Sequence, residues 1–174
     1  KELEKKNNDI MDSIRYAQRI QEAVLPPSIP FEDTFVLYRP KDIVSGDFYW
    51  LEKTDGKELI AAVDCTGHGV PGAFLSILGQ NLLTKIVNEY GILKPNEILN
   101  NLNREVLNAL HQHNVDGEKI VNDGMDLALI SYDTKSNILE YAGAYNSLYL
   151  VREGKLTEYK ANRFPIGRTT SVEK

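Results

Sequence analysis

The sequence predicts an α+β protein, and three observations carry the prediction. Short strand-like runs separated by turn signals occupy the front and the rear of the chain. Between them lie one strongly apolar and one amphipathic helical segment, and a charged stretch free of Gly and Pro precedes everything else. With 174 residues, 42% hydrophobic and 26% charged, one globular domain plus an appendage is expected. The expected division is a helix over 1–25, a proline-rich linker over 26–34 and a domain over 35–174.

Leu3, Asn7, Ile10, Ile14, Ala17, Gln21 and Val24 recur at alternating four- and three-residue steps, which is a heptad pattern. Such a seam suits pairing with a second copy, and Asn7 within it favours one register of two strands. An amphipathic helix packed back on its own domain would carry the same stripe, widened by Ile20 and Leu25. Pro26, Pro27 and Pro30 end the helix. Strands are expected at 35–38, 48–51 and 58–63, the last two joined by an Asp55-Gly56 hairpin turn. A helix should run from Pro71, a residue suited to a first helical position, to about Tyr90, with Gly91 ending it. A second should start near Pro95 and present Ile98, Leu99, Leu102, Val106 and Leu110 on one face. Residues 115–124 read as a loop, and strands follow at 127–132, 138–142, 148–152 and 156–160, with turns at 134–137 and 153–154.

Chemistry concentrates in two stretches, Val44-Ser-Gly-Asp-Phe-Tyr-Trp50 and Val63-Asp-Cys-Thr-Gly-His-Gly69. Each sets an aspartate beside an apolar run and a glycine. A hairpin turning midway between them brings Asp47 and Asp64 to one edge, where a divalent cation would offset two neighbouring carboxylates. The helix from Pro71 starts beside Asp64, and its free N–H groups favour an anion such as phosphate. Asp before Gly-x-Gly also occurs in ordinary turns, where the carboxylate only caps backbone. His68, inside the glycine turn, is expected to hydrogen-bond around a metal instead of binding it. His111 and His113 read as surface residues, and Asp123 and Asp126 as solvated carboxylates.

These stretches, with Gln21 to Pro26, Gly124-Met-Asp-Leu-Ala-Leu129, Tyr141-Ala-Gly-Ala144 and Phe164-Pro-Ile-Gly167 in the same order, resemble the bacterial metal-dependent serine/threonine phosphatases of the SpoIIE type, within the PPM (protein phosphatase type 2C-like) superfamily. The resemblance implies a PPM-type antiparallel β-sandwich flanked by helices, preceded here by the coiled-coil-like helix. It implies a centre of two Mn2+ or Mg2+ ions with Asp47, Asp64 and the backbone carbonyl of Cys65 as ligands. It also implies hydrolysis of phosphoserine or phosphothreonine by a metal-activated water, without a covalent enzyme intermediate. The implied substrate is a small phosphorylated signalling protein of the anti-sigma-factor-antagonist kind. Two departures stand out. Trp50 replaces an acidic residue common in the family, and no Ser-Asp-Gly motif with its further metal-binding aspartate follows Gly167, so the domain is expected to be truncated and its centre incomplete. A non-catalytic binding or dimerisation module on the same fold is the alternative, and a nucleophilic Cys65 is a further one.

A formal net charge of −5 argues against nonspecific nucleic-acid binding. The single cysteine excludes an intrachain disulfide, and no apolar run is expected to approach bilayer length. The expected location is the cytoplasm, for a chain that starts at Lys1 as a piece of something longer, with a phosphoprotein substrate and a homodimer through the N-terminal helix as its contacts.

Overall fold

The computed structural model describes residues 1–110 and 123–167. Its elements are α1 (Glu2–Val24), β1 (Phe48–Thr54), β2 (Lys57–Cys65), α2 (Gly69–Asn88), α3 (Pro95–Ala109), β3 (Met125–Asp133), β4 (Ile138–Ala144), β5 (Leu148–Arg152) and β6 (Lys155–Tyr159). His111, His113 and all but the last two residues of the expected loop at 115–124 lie outside the described residues.

The Asp55-Gly56 hairpin forms because both residues take positive φ, 47° and 77°, the conformation a two-residue turn between twisted strands requires. It pairs β1 with β2, and the four-stranded antiparallel sheet runs β1-β2-β3-β4. Leu59, Ala61, Val63 and Cys65 of β2 and Leu127 and Leu129 of β3 point to one face and are buried. Helices α2 and α3 pack there, with Leu83, Ile86, Ile98, Leu102 and Val106 fully inside. The α+β expectation therefore holds. The second sheet among the described residues is the β5–β6 hairpin, tied to the end of β4 where Tyr145 N–H donates to Asn162 O and Asn162 N–H to Gly143 O.

An edge strand needs cover for its unpaired backbone, and α2 supplies part of it to β1. Gln80, Thr84 and Asn88 stand one turn apart on α2. Gln80 Nε2 donates to Tyr49 O at 3.1 Å, Thr84 Oγ1 accepts from Trp50 Nε1 at 3.0 Å, and Asn88 Nδ2 donates to Glu52 at 3.1 Å.

Three expectations are corrected. Residues 35–38 form no strand: Phe35 and Leu37 are exposed, and no ladder among the described residues pairs with them. The segment's run of aromatic and branched residues has strand propensity, but a strand also needs a partner. Instead Tyr38 anchors the segment, its ring edge-on to Tyr49 at 5.7 Å. Helix α2 starts at Gly69, which makes Pro71 its third residue, still within the first turn where a missing N–H costs nothing. Finally, α2 is long and apolar enough by length and composition to span a membrane; more than half of it is buried in this domain, which accounts for its apolarity as that of a core helix.

Candidate metal centre

Phe48 pairs with Val63, so one step further along the hairpin Asp47 and Asp64 face each other on the side of the sheet opposite the helices. Both are exposed. Partial desolvation first, then the Asp64 charge and a hydrogen bond to the Asp64 carboxyl, hold the Asp47 carboxyl above its usual value. Two hard-oxygen donors that face each other across a hairpin suit a divalent cation.

Backbone contact fixes this pair's loops. A Cβ on Gly46 would lie 2.7 Å from Gly67 O and 3.2 Å from Cys65 O, and one on Gly72 would lie 2.8 Å from Gly67 O and 3.0 Å from the Gly46 Cα. The loop before β1, the turn after β2 and the first turn of α2 therefore interlock at glycine. Gly67, at φ 89°, can adopt the turn that any other residue would resist. The Cys65 carbonyl thus lies beside the residue that precedes Asp47. Its donor chemistry, with the two carboxylates, fits Mg2+ or Mn2+, which take oxygen ligands and complete their shells with water.

The remaining residues fall elsewhere. The Cys65 thiol is on the helix side, buried, and its pKa is pushed far up by burial and by Asp64 and Asp47, which removes it as a thiolate nucleophile. His68 caps α2 by position and is exposed, with Nδ1 3.3 Å from Asp42. Trp50 is buried under α2, on the face away from Asp47, so an acidic residue in its place would point into the core and not at this pair. Asp126, read from sequence as merely solvated, is the register partner of Asp64 and shares its face. Among the described residues no three His, Cys, Asp or Glu side chains are gathered to hold a metal. The Phe164-Pro-Ile-Gly167 stretch returns to this end of the sheet, where Ile166 exchanges two 2.9 Å backbone hydrogen bonds with Met125.

Sequence reading missed Ser45, Gln21 and Gly72. Ser45 Oγ accepts the Asp47 N–H at 3.0 Å, and Gln21 is a buried polar side chain of α1. Its signal in the sequence is a second polar residue, after Asn7, in a mostly apolar stripe.

A stability consequence follows for Asp47. Its folded pKa lies above its unfolded value, so the folded state takes up the proton first. Metal-free stability rises as pH falls through the raised folded pKa and levels off below the unfolded one. Asp47→Asn is expected to raise the thermal midpoint in EDTA at pH 7, with the difference closing as the pH approaches the unfolded carboxylate range. Thermal unfolding of both proteins across pH checks this.

An antiparallel sheet with two helices across one face matches the fold of a PP2C-like phosphatase domain. The stage II sporulation protein E (SpoIIE) family model matches residues 54–173, and the chain belongs to that family. It is similar to the SiaA-PP2C domain of Pseudomonas aeruginosa, at 32% identity and a TM-score of 0.79, covering 93% of this chain and 64% of that one. It also shares its fold with the PP2C phosphatase domain and regulatory-domain fragment of the cell fate determinant SpoIIE from Bacillus subtilis, at 21% identity and a TM-score of 0.54, covering 71% of this chain and 34% of that one. No curated protein sequence matches. The chain thus spans less than two thirds of either structure's length.

Proposed function

We propose that the parent of this chain is a metal-dependent protein serine/threonine phosphatase acting on a small signalling phosphoprotein of the anti-sigma-factor-antagonist type. The observation that carries this reading is the facing pair Asp47 and Asp64, close enough for the Asp64 charge to help raise the Asp47 carboxyl, in a chain of the SpoIIE family. Asp47, Asp64 and the Cys65 carbonyl would hold Mn2+ or Mg2+. A bound ion of this kind lowers the pKa of a water and offsets charge on phosphoryl oxygens. The glycine turn at 67–69 and the first N–H groups of α2 would receive the phosphate dianion, because a helix start offers unpaired donors and partial positive charge.

Homodimerisation through α1 belongs to the same proposal. Leu3 and Ile10 are exposed on its seam. A 730 Å³ apolar groove between α1 and α2, lined by residues such as Ile14, Ile20, Phe74 and Ile77, supports a helical partner there. The same groove favours the second reading, a binding module in which catalysis is lost.

Phosphate release from a phosphoserine protein with Mn2+ separates the two readings. It is to be compared between this chain and one extended by what its parent encodes after Lys174. Mn2+-dependent release by the extended chain is the expected result. A folded extended chain that releases none would leave the binding module.

A further inference from the structure

We propose that Gln21 of α1 is a positioning residue for Asp47, acting through Ser45, so that the seat of the N-terminal helix sets the shape of the loop carrying that carboxylate. Gln21 is buried, with 4% of its surface exposed, and both ends of its amide are used. Nε2 donates to Ser45 O at 2.6 Å and to Ser76 Oγ at 2.7 Å, while Oε1 accepts Ser45 N–H at 2.9 Å. One side chain therefore holds both backbone groups of Ser45, as a strand neighbour would, across 24 residues of sequence. Ser45 in turn holds Asp47 through its hydroxyl, and Tyr38 Oη donates to Asp47 O at 3.2 Å. Ser76 passes the link on by donating to Ala73 O at 2.8 Å in α2.

A buried amide that serves three groups is costly to lose, since each partner is left without a bond inside the protein. The clamp closes two residues before Asp47, beside Gly46, whose backbone already touches the Gly67 turn. The consequence for metal affinity rests on the reading of Asp47 as a ligand; the consequence for the loop does not.

Amide hydrogen exchange and Mn2+ titration of this chain test the proposal, using Gln21→Met, Ser45→Ala, the double variant and Gln18→Ala as a solvent-side control. Gln21→Met should speed exchange of the Ser45 and Asp47 amides about tenfold, leave the β1–β2 ladder amides unchanged, and weaken Mn2+ binding about 10–100-fold. The double variant should be no worse for Mn2+ than the poorer single one, because both act on one loop. Should Gln21→Met fail to fold, Ser45→Ala alone must still speed Asp47 exchange. If wild type binds no Mn2+ while the amides respond as described, the positioning role stands and the metal reading of Asp47 falls. Folded Gln21→Met with Ser45 and Asp47 exchange within twofold of wild type would overturn the proposal, as would additive losses of Mn2+ affinity.

Discussion

Asp64→Asn is expected to abolish the thermal stabilisation that Mn2+ gives this chain. A ligand present at 100 times its dissociation constant stabilises the folded state by about 2.7 kcal/mol. For a protein of this size that corresponds to a rise of about 5–11 °C in Tm. Asn at position 64 keeps the shape and loses the charge. Because Asp64 faces Asp47 directly, its loss leaves one carboxylate of the facing pair, and the shift should fall below about 1 °C, under the resolution of a ligand effect. The apo protein should not lose stability, since the substitution also removes the Asp64 charge that, after burial, raises the Asp47 carboxyl. In an extended chain the same change should remove more than about 100-fold of Mn2+-dependent phosphate release, beyond what loss of an outer hydrogen-bonding partner costs. Paired thermal scans with and without Mn2+ check the first effect, and phosphate release checks the second. An unchanged Mn2+ shift in Asp64→Asn would place the ion elsewhere.

Trp50→Ala should cost about 3–5 kcal/mol, the range for deleting a large aromatic from a packed core. Trp50 is 2% exposed, and its indole N–H is held by Thr84 of α2. The substitution would open a void beneath α2 and remove one of three polar ties between that helix and the edge strand. In Tm the loss is about 6–20 °C. Trp50→Phe keeps most of the ring and gives up the hydrogen bond, so it should cost about 1 kcal/mol for that bond in addition to the smaller volume change. Denaturant unfolding of the three proteins checks this order. Equal stability of Trp50→Ala and wild type would contradict the packing described for β1 and α2.

What was legible in the sequence was local. The hairpin at Asp55-Gly56, the start of α3 at Pro95 and the turn at Glu153-Gly154 each depend on residues a few positions apart, and their conformations follow from those residues. The approach of Asp47 to Asp64 was legible for the same reason, as a hairpin places its ends by counting. Residues 35–38 were misjudged because strand propensity is local while strand pairing is not. Gln21 looked like one more position of a heptad stripe; its partners Ser45 and Ser76 lie 24 and 55 residues away, and no spacing rule reaches that far. Gly72 reads as an ordinary small residue in a helix, yet its missing side chain is what lets α2 approach the Gly67 turn and the Gly46 loop. Asp126 reads in the sequence as a loop carboxylate, and only the β2–β3 register shows that it stands opposite Asp64.

Whether Asp47 and Asp64 share a divalent cation can be seen by anomalous diffraction from crystals of this chain grown with Mn2+. The expected result is a manganese peak bonded to carboxylate oxygens of both residues, at roughly 2.0–2.4 Å. Crystals saturated with Mn2+ that show no peak at this edge of the sheet would rule the shared ion out.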